Sequence, residues 1–229
     1  MNKSNLKKII LWGGTGQAIV LEEILSRIGF NIIALFDDRE ISSPFTNIPI
    51  FYRKQGFSNW IKENNFKNLY CAVAIGGEKG KNRYEIQNYL KKYSIIPVTI
   101  IHDTAFVANS ANIGEGCQVL ANSSICARVN LGRATIINTS ASIDHECVIG
   151  KGCHIAPGAN LAGLIRVDDF SFIGIGTVIL PEITIGKDVI IGAGSVVTKD
   201  IPDNSVAYGN PARIEKRCCK KVDGKNNTT

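Results

Sequence analysis

The feature that most restricts how this 229-residue chain can fold is a repeat of six. Stepping by six from Val107 meets Ile113, Val119, Ile125, Leu131, Ile137, Ile143, Ile149, Ile155, Leu161, Val167, Ile173, Ile179, Ile185, Ile191 and Val197, with no polar residue among them. Two positions earlier stand small or β-branched residues, among them Ala111, Cys117, Ser123, Thr135, Ala141, Cys147 and Cys153. A helix of period 3.6 cannot keep such a repeat on one face. Short strands can, if the chain turns after each one and positions i−2 and i point inward together. Glycine follows the apolar residue at 114, 132, 150, 174, 186 and 192, which marks corners. Three sides close a coil of 18 residues, so the run predicts about five coils of a triangular prism.

The segment before the repeat has a different rhythm. Lys8–Trp12 reads as a buried strand, Ala18–Ile28 as helix and Asn31–Phe36 as strand. Phe57–Asn64 reads as helix, Leu69–Ile75 as strand, Asn82–Lys92 as helix and Ile95–Ile101 as strand. Strand alternating with helix predicts a small parallel α/β sheet. The expected division is residues 1–103, then 104–214, then a polar basic tail over 215–229 that is expected to be flexible.

Composition limits what these units do. The hydrophobic fraction of 45% is too high for a disordered chain. The net charge is +6, but six basic residues face two acidic ones between Arg213 and Thr229, so the body is close to neutral. A nucleic-acid binder needs a basic face on its folded part, and none is predicted. No apolar run reaches the ~18 residues of a membrane helix, and the short stretch Ile9–Trp12 predicts no export signal. The seven cysteines form no Cys-x-x-Cys pair, which predicts reduced thiols in a cytoplasmic protein. Cys117, Cys147 and Cys153 take small inward positions of the repeat and read as core.

Two groups of residues carry candidate chemistry. Gly13-Gly14-Thr15-Gly16-Gln17 lies between a strand and a helix, where backbone N–H groups and the helix N-terminus favour phosphate. A dinucleotide fingerprint needs glycine at 19, where Ile19 stands, so the loop predicts one nucleotide diphosphate rather than NAD. Asp37 and Asp38 end the next strand, where a carboxylate can accept from a ribose or base. The second group is His145, followed by Glu146, and His154. Imidazole can take and return a proton near neutral pH, and a neighbouring carboxylate orients it. Nine residues are half a coil, so the two histidines are expected on opposite sides of the prism, ~15 Å apart by strand rise. If both serve one site, two prisms must pack side by side. A metal needs three ligands, and His102 is more than two coils from His145, so none is expected.

The glycine loop, Asp37-Asp38, Ala74-Ile-Gly76, Ile137-Asn-Thr-Ser140, His145-Glu146, His154 and Gly209-Asn-Pro-Ala-Arg213 together resemble the PglD/NeuD-type bacterial sugar acetyltransferases. The likeness covers about residues 7 to 214. It implies a Rossmann-like N-terminal domain followed by a left-handed parallel β-helix, the handedness coming from the resemblance alone. It also implies a homotrimer with sites between subunits. The reaction implied is acetyl transfer from acetyl-CoA to the 4-amino group of a nucleotide-linked dideoxy sugar, in surface glycan or glycoprotein sugar synthesis. Carried over by position, Thr15, Gly16 and Gln17 would face phosphates and sugar. Asp37 and Asp38 would hold the base or ribose, and Gly76 would touch the nucleotide. His145 would be the base, Glu146 would raise its basicity and Asn138 would support the pair. His154 would meet acetyl-CoA near the thioester, and the Gly163 N–H would receive the oxyanion. Ile175 and Ala193 would line the CoA arm. The family usually has histidine where this chain has Gln17, which leaves the acceptor open. A sialic acid O-acetyltransferase, a trimeric scaffold without activity and a metal-dependent hydratase stand as alternatives.

Overall fold

The computed structural model describes residues 6–64 and 66–217. The first unit is a sheet of five parallel strands with three helices. In chain order these are β1 (Lys7–Trp12), α1 (Gly16–Arg27), β2 (Phe30–Asp37), β3 (Ile50–Tyr52), α2 (Arg53–Glu63), β4 (Tyr70–Val73), α3 (Gly80–Lys91) and β5 (Ile96–Pro97). The strand order is β3-β2-β1-β4-β5, so the topology reverses direction between β1 and β4. Both faces of the sheet are covered. Ile9 and Leu11 pack with Leu21 and Leu25 of α1, while Ile10 and Trp12 pack with Phe57 and Trp60 of α2 and Leu90 of α3. The unbroken apolar run in β1 is what a two-sided burial demands.

The second unit is the left-handed parallel β-helix. Among the described residues, seventeen two-residue strands run from Ile100–Ile101 to Val196–Val197 and stack on three faces. Pairing advances by 18, as in Ile136 with Gln118 above and His154 below. The inward residues form one core, in which Val119, Ile125, Ile137, Ile143, Ile155 and Ile173 are fully buried. Small inward polar groups donate to the next coil's backbone. Thr135 Oγ1 lies 2.8 Å from Gly150 O, and the Cys117 thiol 3.1 Å from Gly132 O. Burial pushes the Cys117 and Cys147 thiols up to about 11 and Cys153 to about 12, so these are inert core groups.

The corners differ from the sequence expectation. Positive φ falls three residues after the inward apolar residue, at Asn122, Arg128, Ala134, Ser140, Glu146, Gly152 and onward by sixes. The junction between the units also moves. The expected strand Ile95–Ile101 is two strands, with Ile96–Pro97 pairing in the α/β sheet and Ile100–Ile101 pairing with Gln118–Val119 as the first side of the prism. At the other end, Ser205–Gly209 and Ala212–Arg217 form an antiparallel hairpin on the last coil. The chain is thus ordered three residues past 214, and the remainder of the expected tail lies outside the described residues.

The two units share a seam. Ile100, Leu120 and Ile136 on the outer face of the prism join Ala18, Leu21, Ala72 and Ala74 in one apolar cluster. Arg83 of α3 is fully buried there and donates to four carbonyls, those of Ile75, Ala134, Gly152 and Cys153, at 2.7–3.0 Å. Desolvation lowers its pKa to about 10, which still leaves the guanidinium charged at neutral pH.

Candidate active site

A cleft of about 530 Å³ opens at the carboxyl ends of β1 and β4, where the strand order reverses. Ligands of open α/β sheets bind at this position. One wall is the glycine loop. Gly13 adopts φ +110°, and a Cβ there would collide with the Ala74 carbonyl, so the loop can pass this close only with glycine. Thr15 precedes α1 without capping it by a side-chain hydrogen bond, and the first turn carries no acid. The N-terminal N–H groups of Gly16 and Gln17 are therefore the natural partners of an anion.

Asp37 and Asp38 do different jobs. Both oxygens of Asp37 are already engaged. Oδ2 accepts from Gly14 N at 2.9 Å and Arg39 Nη2 at 3.0 Å, and Oδ1 accepts from Arg39 N and Nε at 3.0 Å each. Burial pushes its pKa up, but the hydrogen bonds and charge of Arg39 and the Gly14 N–H outweigh that and hold it below the usual carboxylate value. Asp37 thus clamps the loop through both oxygens while also lining the cleft. Asp38 is exposed and lines the cleft. Arg39, Lys79 and Asn82 also line it, and the sequence reading missed them.

The far end of the cleft is made by the prism. His154 is 5% exposed and sits against Gly76 and Gly77. Its Nδ1 donates to Gly77 O at 3.3 Å, and its Nε2 accepts from Asn138 Nδ2 at 3.0 Å. Desolvation, aided by the Arg83 charge, lowers its pKa to about 4. His154 is therefore neutral at neutral pH with both ring nitrogens occupied, and it has no N–H left for an oxyanion. Asn138, expected beside His145 and Glu146, belongs to His154 within the chain. The 18-residue register explains this, because position 138 follows the strand paired with His154–Ile155. Ile175 and Ala193 are exposed on the next corners of the same edge, where Gly176 N bonds Pro157 O and Gly194 N bonds Ile175 O.

The low pKa of His154 carries a stability prediction. The folded state resists protonation that the unfolded state accepts below about 6.5, so stability is present at neutral pH and lost as pH falls toward about 4. The loss from this group is about 3 kcal/mol. Thermal melts at pH 7 and 4.5 are expected to show a smaller acid loss in His154→Gln than in the wild type. Equal losses would contradict it.

His145 and Glu146 lie on a different corner, between Ser142–Ile143 and Val148–Ile149. The imidazole is half exposed, and its Nδ1 is 3.2 Å from Glu146 Oε2. Glu146 is also 3.5 Å from Arg128 Nη1. Gly163, one coil below, lies directly beneath the ring, and a Cβ there would come within 2.5 Å of His145 Nε2. The Gly163 N–H has no acceptor among the described residues. The structure thus brings Thr15, Gly16, Gln17, Asp37, Asp38, Gly76 and His154 to one cleft, and His145, Glu146 and Gly163 to one corner. It does not bring the two groups together within the chain. Among the described residues no three His, Cys, Asp or Glu side chains are grouped to hold a metal, and no helix is long and apolar enough to cross a membrane.

Residues 8–90 match the PglD N-terminal domain family, and residues 165–199 match the bacterial transferase hexapeptide family. The fold is similar to that of PerB from Caulobacter crescentus, solved in complex with CoA and GDP-perosamine. The two chains are 32% identical with a TM-score of 0.83, covering 91% of this chain and 97% of that one. The acetyltransferase domain of PglB from Neisseria gonorrhoeae FA1090, solved in complex with acetyl coenzyme A, is 29% identical with a TM-score of 0.81, covering 91% and 99%. A curated relative, dTDP-3-amino-3,6-dideoxy-alpha-D-galactopyranose 3-N-acetyltransferase from Aneurinibacillus thermoaerophilus, is 64% identical over 31 residues, 14% of this chain and 16% of the relative. The chain spans about a sixth of the length of the curated relatives it matches. With an α/β cleft, a hexapeptide coil and an end-to-end likeness to PerB, the chain belongs to the PglD/NeuD-type family of hexapeptide-repeat bacterial sugar acetyltransferases.

Proposed function

We propose that this chain transfers an acetyl group from acetyl-CoA to the 4-amino group of a nucleotide-linked dideoxy sugar, as a cytoplasmic homotrimer with each site between two subunits. The observation that carries this reading is the cleft itself. An anion-binding loop lies at one end and a histidine of the acyltransferase coil at the other. That span suits a nucleotide diphosphate whose sugar points at the coil. The GDP-perosamine and CoA bound together in PerB support the same substrate class.

In the proposed reaction the sugar amine attacks the thioester carbonyl, and His145 of a neighbouring subunit takes the amine proton. A C–N bond forms, the C–S bond breaks, and the CoA thiolate leaves with the proton returned to it. Glu146 orients the imidazole through Nδ1, which leaves Nε2 as the base. The unpaired Gly163 N–H is placed beside that base to receive the developing oxyanion. Asn138 and Gly77 hold His154 neutral and fixed where the sugar end of the cleft meets the coil. No acyl-enzyme is required, because an amine is itself a competent nucleophile and the inward thiols are buried.

The test is release of CoA thiol from acetyl-CoA with UDP-, GDP- and dTDP-linked 4-amino-4,6-dideoxyhexoses, one at a time. Release with at least one amino sugar, and none with the matching nucleoside diphosphate, is expected. Transfer to free sialic acid alone would favour the O-acetyltransferase alternative, and no release with any acceptor would defeat the reading.

A further inference from the structure

The prism face that meets the α/β unit carries one column of residues in register: Ile100, Gln118, Ile136, His154 and Phe172. His154 belongs to the site just described. Gln118, two coils away and ~10 Å along the axis by strand spacing, has no part in it so far. It is 1% exposed, beside the apolar cluster of Ile100, Leu120, Ile136, Ala72 and Ala74 in the seam. A buried amide is costly unless its N–H and C=O groups are paired. Gln118 Nε2 donates to Val73 O at 2.8 Å, and its Oε1 accepts from Gln17 Nε2 at 2.7 Å.

This chain of bonds has only one polarity. The Val73 carbonyl can only accept, so the Gln118 NH₂ must face it. The Gln118 oxygen must then face Gln17, and Gln17 must turn its own NH₂ inward. The Gln17 oxygen is left toward the cleft. It lies 3.5 Å from where a Cβ on Gly76 would stand, and His154 Cε1 lies 3.8 Å from the same point. No donor among the described residues reaches it. A free glutamine could turn either end of its amide to a ligand; here the nitrogen end is held at Gln118 and the oxygen end is the one set toward Gly76 and His154.

We infer that Gln118 sets the ligand selectivity of the cleft through Gln17, whose locked carbonyl oxygen takes a sugar bearing a hydroxyl or amine beside His154 and rejects one bearing a keto oxygen there. A keto group would face the Gln17 oxygen with no proton between them, leaving two acceptors unpaired. Gln118 touches no substrate and is a positioning residue. The inference rests on the reading of the cleft as a nucleotide-sugar site.

The experiment compares Gln118→Met, Gln118→Glu, Gln17→Met and the double Met variant with the wild type. The substrate is whichever nucleotide-linked 4-amino-4,6-dideoxyhexose the wild type acetylates. The matching 4-keto-6-deoxyhexose nucleotide and the nucleoside diphosphate serve as inhibitors. Gln118→Met is expected to raise KM for the amino sugar about tenfold. Its kcat should stay within about twofold, and Ki for the nucleoside diphosphate should not move. The wild-type preference for amino over keto sugar should shrink toward unity. Gln118→Glu still accepts from Gln17, so its KM should stay at the wild-type value although the altered contact with Val73 lowers Tm. The double variant should be no worse than Gln17→Met alone. A wild-type KM in Gln118→Met, an equal rise in Ki for the nucleoside diphosphate, or additive losses in the double variant would each overturn the inference. If Gln118→Met does not fold, an unchanged KM in Gln17→Met or a raised KM in Gln118→Glu overturns it. Absence of wild-type acetylation defeats the functional reading instead, and the same comparison is then read as Kd by calorimetry.

Discussion

Replacing His145 with alanine is expected to lower kcat for amine acetylation by about 10²–10⁴-fold, the contribution of a positioned general base. The imidazole is half exposed and holds no core contact, so the fold should survive with an unchanged Tm. Glu146 accepts at Nδ1, and Nε2 faces outward above Gly163. KM for acetyl-CoA and for the nucleotide sugar should change little, because the bonds lost are made while the proton moves. Steady-state kinetics at saturating acetyl-CoA check this. Full turnover by the variant would remove His145 from the mechanism.

Gly163→Ala should be nearly as informative, because it adds one methyl group and deletes nothing. That methyl would meet His145 Nε2 at 2.5 Å and Cε1 at 2.7 Å. The backbone at Gly163 has no positive φ, so alanine is not excluded by conformation. The imidazole must swing away, which an exposed side chain can do at small cost. The base then stands about 1 Å or more from its productive place, and kcat is expected to fall about 10–10²-fold. Tm and both KM values should stay near the wild type. A crystal structure of the variant should show the ring displaced; a ring in place with normal turnover would refute the close packing inferred here.

The prism was legible because a period of six, once seen, fixes the register of every strand. Its corners were less so. The left-handed position is glycine at 116, 152, 158, 176 and 194 but Arg128, Ala134, Ser140, Glu146, Leu164 and Phe170 elsewhere, so residue type marks it only in part. The glycines that follow the apolar residues instead answer to close approach between coils, as at Gly132, where a Cβ would run into the next coil's backbone. The cleft was legible from its glycine loop and Asp37-Asp38, but sequence could not show that Arg39 and Gly14 already bond Asp37 while Asp38 stays exposed. The bond between Asn138 and His154 could have been read from the 18-residue register, which sets position 138 beside the His154 strand. Arg83 and Gln118 were invisible for a shared reason. Each looks solvent-facing within its own element and is buried only when the two units meet. The one available sign for Arg83 was its helical spacing with Ile86, Gln87 and Leu90, the buried face of α3.

The central claim is that one subunit supplies the cleft and another supplies His145. Mixed trimers test it most directly. His145→Ala subunits keep an open cleft. Gly76→Leu subunits keep the base, but their cleft is filled between Gln17 and His154. Each alone should be inactive. Co-expressed with different tags and purified by both, mixed cyclic trimers contain one complete site in three, so recovery of about a third of wild-type activity is predicted. Mixed material as inactive as its two parents would contradict a site shared between subunits.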